Sequence, residues 1–240
     1  LPYIYMAGAL LLLIGLVYFS KLPEIREENT PTYDEEERQS IFEYPQVILG
    51  AITLFGYIGV EVVAGDTIGL CGAQLNVENF ASLTSYTMAF MLIGYFIGII
   101  FIPKYITQSK ALIGSAIGGC VCVIAVTFSS ESSSNISDFL WGWSNIPILP
   151  DPVFFVALMG TANALVWPVI WPLALNGLGK HTALGSALLI MSISGGAIIP
   201  LIFGKIAEDW TGLQSAYWIG FPCYLLILFY ALKGHKMRHW

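Results

Sequence analysis

The chain has 240 residues, of which 56% are hydrophobic and only 11% charged, with a mean hydropathy of +0.73 and a formal net charge of −6. A soluble domain carries about 25% charged residues, so this composition excludes an ordinary water-soluble fold. The negative charge is concentrated in one loop and no basic patch is present, which excludes a nucleic-acid partner.

A helix needs about 20 mostly apolar residues to cross a bilayer, and seven stretches qualify, at 1–20, 45–70, 84–102, 111–128, 152–175, 183–206 and 215–232. A closed barrel would need alternating segments of about 10 residues, and none occurs. The fold class is therefore all-α, a polytopic membrane protein. Residues 21–44 separate the first stretch from the rest. They carry Glu24, Glu27, Glu28, Asp34, Glu35, Glu36, Glu37 and Glu43 and read as a solvated acidic linker, partly helical over 34–43. The division is thus 1–20, 21–44 and 45–240. Leu1 is not an initiator methionine and the first apolar run lacks a basic flank, so it does not read as a signal peptide. The chain reads as part of something longer.

Counting loops alternately puts Lys21, Arg26, Arg38, Lys104, Lys110, Lys180, Lys233, Lys236 and Arg238 on one side and only Lys205 on the other. The positive-inside rule then places the linker and the C-terminus in the cytoplasm. Trp141 and Trp143, in the outer Ser-rich loop, suit an interfacial belt. Asn135-Ile136-Ser137 matches a glycosylation sequon, relevant only in a eukaryotic secretory pathway. Gly94 and Gly98, and again Gly114 and Gly118, form GxxxG pairs that let helices approach closely. Ser192, Ser194, Gly195 and Gly196 before Pro200 mark another close contact. Cys71, Cys120, Cys122 and Cys223 read as free, packed thiols.

Two stretches carry chemistry. In FGYIGVEVVAGDTIG, Glu61 sits near the middle of the second span with Tyr57 one turn before it. A charge at bilayer depth costs about 2.5–3.5 kcal/mol on insertion scales, so such a group faces the bundle interior and serves a pathway or ligand. Tyr57 and Glu61 together can reach one polar solute, and Glu61 can also carry a proton. A structural carboxyl paired with another helix is the competing reading. Asp66 reads as a rim group, and Gln74, Asn76 and Asn79 as loop. In GTANALVWPVIWPLALNGLGK, Asn163, Trp167 and Trp171 recur every four residues, about one helical turn. Pro168 and Pro172 each remove a backbone donor and crowd the preceding turn. A span broken in this way survives only where protein or a watery cavity satisfies the freed groups. Either a polar cavity lined by indoles and an amide or plain packing of large side chains accounts for it. No catalytic residue, metal ligand or cofactor is expected. HExxH, GxSxG and paired carboxylates are missing, and His181, His235 and His239 lack metal-ligand spacing.

The run TANALVWPVIWPLALNGLGKHTALGSALLIMSISGGAIIPLIFGKIAED, with FGYIGVEV before it and IPKYITQSKAL between, resembles the glucose/galactose transporter branch of the fucose–galactose–glucose:proton symporter family, within the major facilitator superfamily. The resemblance covers nearly the whole chain. It implies a transporter of twelve helices in two halves, with this chain supplying helix six, the cytoplasmic linker and the C-terminal six-helix bundle. It further implies hexose uptake across the cell (inner) membrane by alternating access, with a substrate site near the midplane. The partners it implies are a hexose, a coupling cation (a proton before sodium), the lipid bilayer and the N-terminal half of the same transporter. The positions that fit a sugar site are Glu61, Tyr57, Asn163, Trp167 and Trp171. The family's best proton-coupling carboxylates lie in the half this chain lacks, so Glu61 is a sugar-binding candidate first and a protonation site second. Loop 103–110 resembles a worn version of the superfamily's charged gating loop, and GKIAEDWTG echoes it at the other end. Topology alone also allows a seven-helix receptor; the acidic linker after the first span and the proline-broken fifth span favour the transporter.

Overall fold

The computed structural model describes residues 2–20, 41–102, 104–238 and 240. The chain divides into two units, Leu1–Asp34 and Glu35–Trp240. In the first, α1 (Pro2–Phe19) is apolar throughout and ends where the Ser20 hydroxyl donates to the Val17 carbonyl at 2.9 Å. The linker expected at 21–44, with its helical 34–43 segment, lies mostly outside the described residues. Its last residues form a short 3-10 turn at Ile41–Glu43, with Ile41 buried against Val47 and Leu178.

The second unit contains α2 (Pro45–Asp66), α3 (Ile68–Gln74), α4 (Thr84–Phe101), α5 (Gln108–Phe128), α6 (Asn135–Trp141), α7 (Asp151–Ala164), α8 (Val166–Leu175), α9 (Thr182–Met191), α10 (Gly195–Ile206), α11 (Leu213–Ala216) and α12 (Gly220–Leu232). Among the described residues there is no strand, and six helical stretches are long and apolar enough to cross a membrane. They run over Pro45–Asp66, Phe80–Phe101, Gln108–Phe128, Asp151–Leu175, Gly179–Asp209 and Leu213–Lys236, and α1 is apolar but shorter. All six match the spans expected beyond the linker.

Three of these stretches are compound. α7 and α8 meet at Leu165, α9 and α10 through a 3-10 turn at Ser192–Ser194, and α11 and α12 through another at Tyr217–Ile219. The first junction has a local cause. Pro168 has no N–H to give the carbonyl four residues back, and its ring crowds that carbonyl. The residue four back is Ala164, where α7 ends. Pro172 and Pro200, by contrast, lie inside α8 and α10, which continue past them.

α2 is the central post, packing against α7, α8, α9, α10 and α12, while α5 lies against α7 and α12 and α4 against α7. One continuous apolar core joins them, including Leu54, Val60, Val63, Met159, Ile170 and Ile227. Glycines set the closest approaches. A methyl on Gly195 would run into the Phe55 carbonyl oxygen, and one on Gly160 into that of Thr87. A Cβ on Gly94 would stand 2.9 Å from the Thr161 carbonyl oxygen, so this GxxxG pair seats α4 on α7. The second pair behaves differently. A Cβ on Gly114 meets nothing within 4 Å, and it is Gly119, one position beyond the pair, that admits the Tyr224 ring.

The loops carrying Lys and Arg gather at one end of the bundle. The Tyr230 hydroxyl donates to the Gln46 carbonyl at 3.1 Å, Ser109 and His235 share a 3.1 Å hydrogen bond, Trp240 donates to the Phe42 carbonyl at 2.6 Å, and Arg238 donates to the Asn176 carbonyl. At the other end Asp151 is buried and accepts from the Ser133 hydroxyl and, at 3.2 Å, from the Ile136 N–H. The four cysteines are free, and burial, with Glu131 nearby, pushes the Cys71 thiol up to about 11. It is therefore neutral and unreactive at pH 7.

Gly195→Ala should destabilise the purified protein by about 1–3 kcal/mol, the usual cost of overpacking, because the obstacle is backbone. Gly114→Ala should leave stability within about 0.5 kcal/mol. Thermal unfolding in detergent measures both.

Candidate functional site

Glu61 and Tyr57 lie on one face of α2, as their spacing predicts. Tyr57 is 1% exposed, whereas Glu61 is half-buried. The Glu61 carboxyl faces the Tyr57 hydroxyl. Two further phenols stand close enough to interact electrostatically with Glu61: Tyr95 from α4, half-buried, and Tyr224 from α12, fully buried. Asp66 is exposed at the C-terminal end of α2. Beside it the Thr67 hydroxyl donates to the Val63 carbonyl at 2.6 Å and lies 2.7 Å from the Tyr217 hydroxyl, closing that end with buried hydrogen bonds.

Asn163 is 0% exposed, two residues before the junction between α7 and α8. Its side-chain oxygen accepts from the Tyr224 hydroxyl at 2.8 Å, and its Nδ2 has no protein partner. Tyr224 thus joins α12 to α7 through Asn163, and it also stands within electrostatic reach of Glu61 on α2.

Trp167 and Trp171 both lie on α8 and stack on one another, with ring centroids 5.4 Å apart and planes inclined by 29°. Each packs one side against the core and leaves the other partly exposed. The junction at Leu165 divides the expected stripe: Asn163 turns into the bundle, while the two indoles stay at its margin. Their height can be reckoned from Gly50, where an added Cβ would stand 3.0 Å from the Ala174 Cβ. Seven residues along α2 from Gly50 is Tyr57, and seven back along α8 from Ala174 is Trp167. At about 1.5 Å per residue in antiparallel neighbours, the two are close to level. Glu61 and Asn163, each four residues further on in the same directions, are then close to level as well.

The set thus offers a carboxyl, phenols and an orphan amide N–H beside two stacked indole faces. Carboxylates and amides exchange hydrogen bonds with hydroxyls, and an indole face packs against C–H groups. Sequence reasoning did not single out Tyr95 and Tyr224. Tyr95 sits within a GxxxG pair and Tyr224 within an apolar run, so only their phenolic tips in otherwise apolar segments could have marked them. Among the described residues, no group of three or more His, Cys, Asp or Glu could hold a metal ion.

Known proteins resemble the chain along almost its whole length, although no family model matches it. A glucose/galactose transporter of Brucella abortus biovar 1 (strain 9-941) is 32% identical over 240 residues, covering 98% of this chain and 53% of that protein. The crystal structure of the fucose:proton symporter FucP of E. coli superposes with a TM-score of 0.75 at 18% identity, over 96% of this chain and 54% of that one. A structure of the major facilitator superfamily transporter FucP in its outward conformation gives a TM-score of 0.72 at 19% identity, covering 96% and 53%. The fold is therefore that of a major facilitator transporter, and the chain is a relative of sugar transporters. It spans about half the length of the relatives it matches.

Tyr224→Phe would strip the buried Asn163 of its remaining side-chain partner. The expected loss is about 1–3 kcal/mol of stability, read from thermal unfolding in detergent; Tyr3→Phe, on an exposed position of α1, should change nothing.

Proposed function

We propose that this relative of glucose/galactose transporters and the fucose:proton symporter forms the C-terminal half of a proton-coupled hexose transporter working by alternating access. The observation that carries the reading is Glu61: a half-buried carboxyl in the second half of the apolar α2, facing Tyr57 and within electrostatic reach of phenols from two further helices. A charge held at that depth in an apolar bundle is costly unless it serves a pathway or ligand. The relatives above carry transporter names, not enzyme names, and none lends support to a receptor.

In this reading α1 is helix six of the whole transporter, and the six long stretches from α2 to α12 are helices seven to twelve. The missing half supplies the opposite wall of the cavity and the principal proton-coupling carboxylates. Glu61 and Tyr57 bind sugar hydroxyls, the free Asn163 N–H donates to another, and the Trp167–Trp171 pair packs against the C–H face of the ring. Glu61 accepts and donates hydrogen bonds as its protonation changes, which makes it a second-rank protonation site. The end bearing Lys104, Lys110, Lys180, Lys233, Lys236 and Arg238 lies in the cytoplasm with the acidic linker, following the positive-inside rule. The protein is a multi-pass component of the cell (inner) membrane.

Counterflow of labelled glucose, galactose and fucose in proteoliposomes holding the complete transporter tests this. Glu61→Gln should reduce hexose uptake at least about tenfold, a change of about 1.4 kcal/mol; wild-type uptake would remove Glu61 from the site. Trp171→Ala should weaken sugar binding more than it lowers the amount of folded protein in the membrane. Equal losses of both would make the indole a packing residue.

A further inference from the structure

We propose that a crevice bounded by α4, α5 and α7 holds one acyl chain of an anionic phospholipid, with the lipid phosphate at Lys110 and the N-terminus of α5. The crevice has a volume of about 430 Å³, within the range of ordinary ligand sites. Ile97 and Phe101 of α4, Val121 of α5, Leu158 of α7 and Leu165 at its junction with α8 line it. Its wall on α5 is opened by Gly114, the glycine with no neighbour to meet. The Thr161 hydroxyl at its floor is already spent on the Phe90 carbonyl, at 2.9 Å. Apart from Thr161 and Lys110, Ser115 is the other polar side chain in the lining, too little to pair the several hydroxyls of a sugar, whereas a hydrocarbon chain needs no partner.

One end of the crevice is different. Lys110 is the charged residue among its lining, is exposed, and stands in the first turn of the 21-residue α5. That helix end adds its own partial positive charge. Lys104 lies in the same connection, its ammonium 5.3 Å from the centre of the Tyr105 ring. An occupant that is apolar along most of its length and anionic at this one end matches the site. A membrane surface holding anionic lipid attracts such juxtamembrane lysines by about 1 kcal/mol each.

The crevice is separate from the candidate sugar site. Tyr95, which faces Glu61, and Ile97, which lines the crevice, are two positions apart on α4. At about 3.6 residues per turn they point to nearly opposite sides of the helix. The inference therefore does not rest on the transport reading.

Native mass spectrometry of the complete transporter in detergent, offered phosphatidylglycerol or phosphatidylcholine of identical acyl chains, tests it. Wild type should retain several-fold more phosphatidylglycerol. Lys110→Gln should reduce that retention to the phosphatidylcholine level, and Gly114→Leu, which fills the crevice from an open position, should lower retention of both lipids. Soluble glycerol phosphate should not displace the bound lipid. Equal retention of the two lipids by wild type, unchanged retention in both variants, or displacement by glycerol phosphate would overturn the proposal. So would a dimer that Gly114→Leu dissociates, because the crevice would then belong to a second copy. Unchanged melting temperatures confirm that both variants are folded before retention is compared.

Discussion

An interrupted helix in an apolar medium exposes backbone groups that water cannot satisfy, and each open group costs several kcal/mol. The junction between α7 and α8 is such an interruption, so its place in the bundle is dictated before any question of function arises. It must be inside. The stretch that contains it, Asp151–Leu175, is 67% buried over its most apolar window, more than any of the other five long stretches. The hydrogen bond between Tyr224 and Asn163 lies two residues from the break and ties it to α12. Most of the arrangement follows: α2 and α5 must flank α7, α5 must let Tyr224 pass at Gly119, and α4 must sit close through Gly94.

The same constraint explains how polarity is distributed. Several polar side chains within the long stretches are joined across helices or bonded to a local carbonyl. Thr67 meets Tyr217, Thr161 bonds the Phe90 carbonyl, and Thr53 returns to its own helix at Leu49. Among the described residues the Asn163 amide nitrogen and the His181 Nδ1 are buried without a partner, the former inside the long stretch beside the helix that carries the half-buried Glu61 and the latter at the lysine-bearing end. A buried polar group without a partner is costly. An unpaired amide N–H buried at the centre of a bundle is a better mark of a ligand site than polarity alone.

At the lysine-bearing end, Tyr230 and the tail residues Arg238 and Trp240 bond to carbonyls near the start of α2 and in the connection after α8. These bonds join the first and last helices of the second unit. Together with the glycine contacts higher in the bundle, they favour a unit that moves as one body, since packed interfaces switch between discrete arrangements more readily than they deform. α4 then has two different flanks, one turning Tyr95 toward Glu61 and the other exposing apolar residues beside the crevice.

The sequence by itself determined the membrane class, the six spans after the linker and the clustering of Lys and Arg at alternate connections. These follow from hydrophobic length and loop charge, which are local and additive along the chain. It also paired Glu61 with Tyr57, because four residues is one helical turn, and Trp167 with Trp171 for the same reason. Local spacing failed where the helix stopped being regular. Asn163 shares the periodicity of the two tryptophans, but the junction at Leu165 turned it inward. Gly114 and Gly118 have the spacing of a contact pair, but Gly119 makes the contact. Tyr95 and Tyr224 were invisible because each comes within electrostatic reach of Glu61 from a different helix. Only tertiary structure decided those meetings, since residues distant in the chain are brought together by how helix faces pack, and no local pattern encodes that choice.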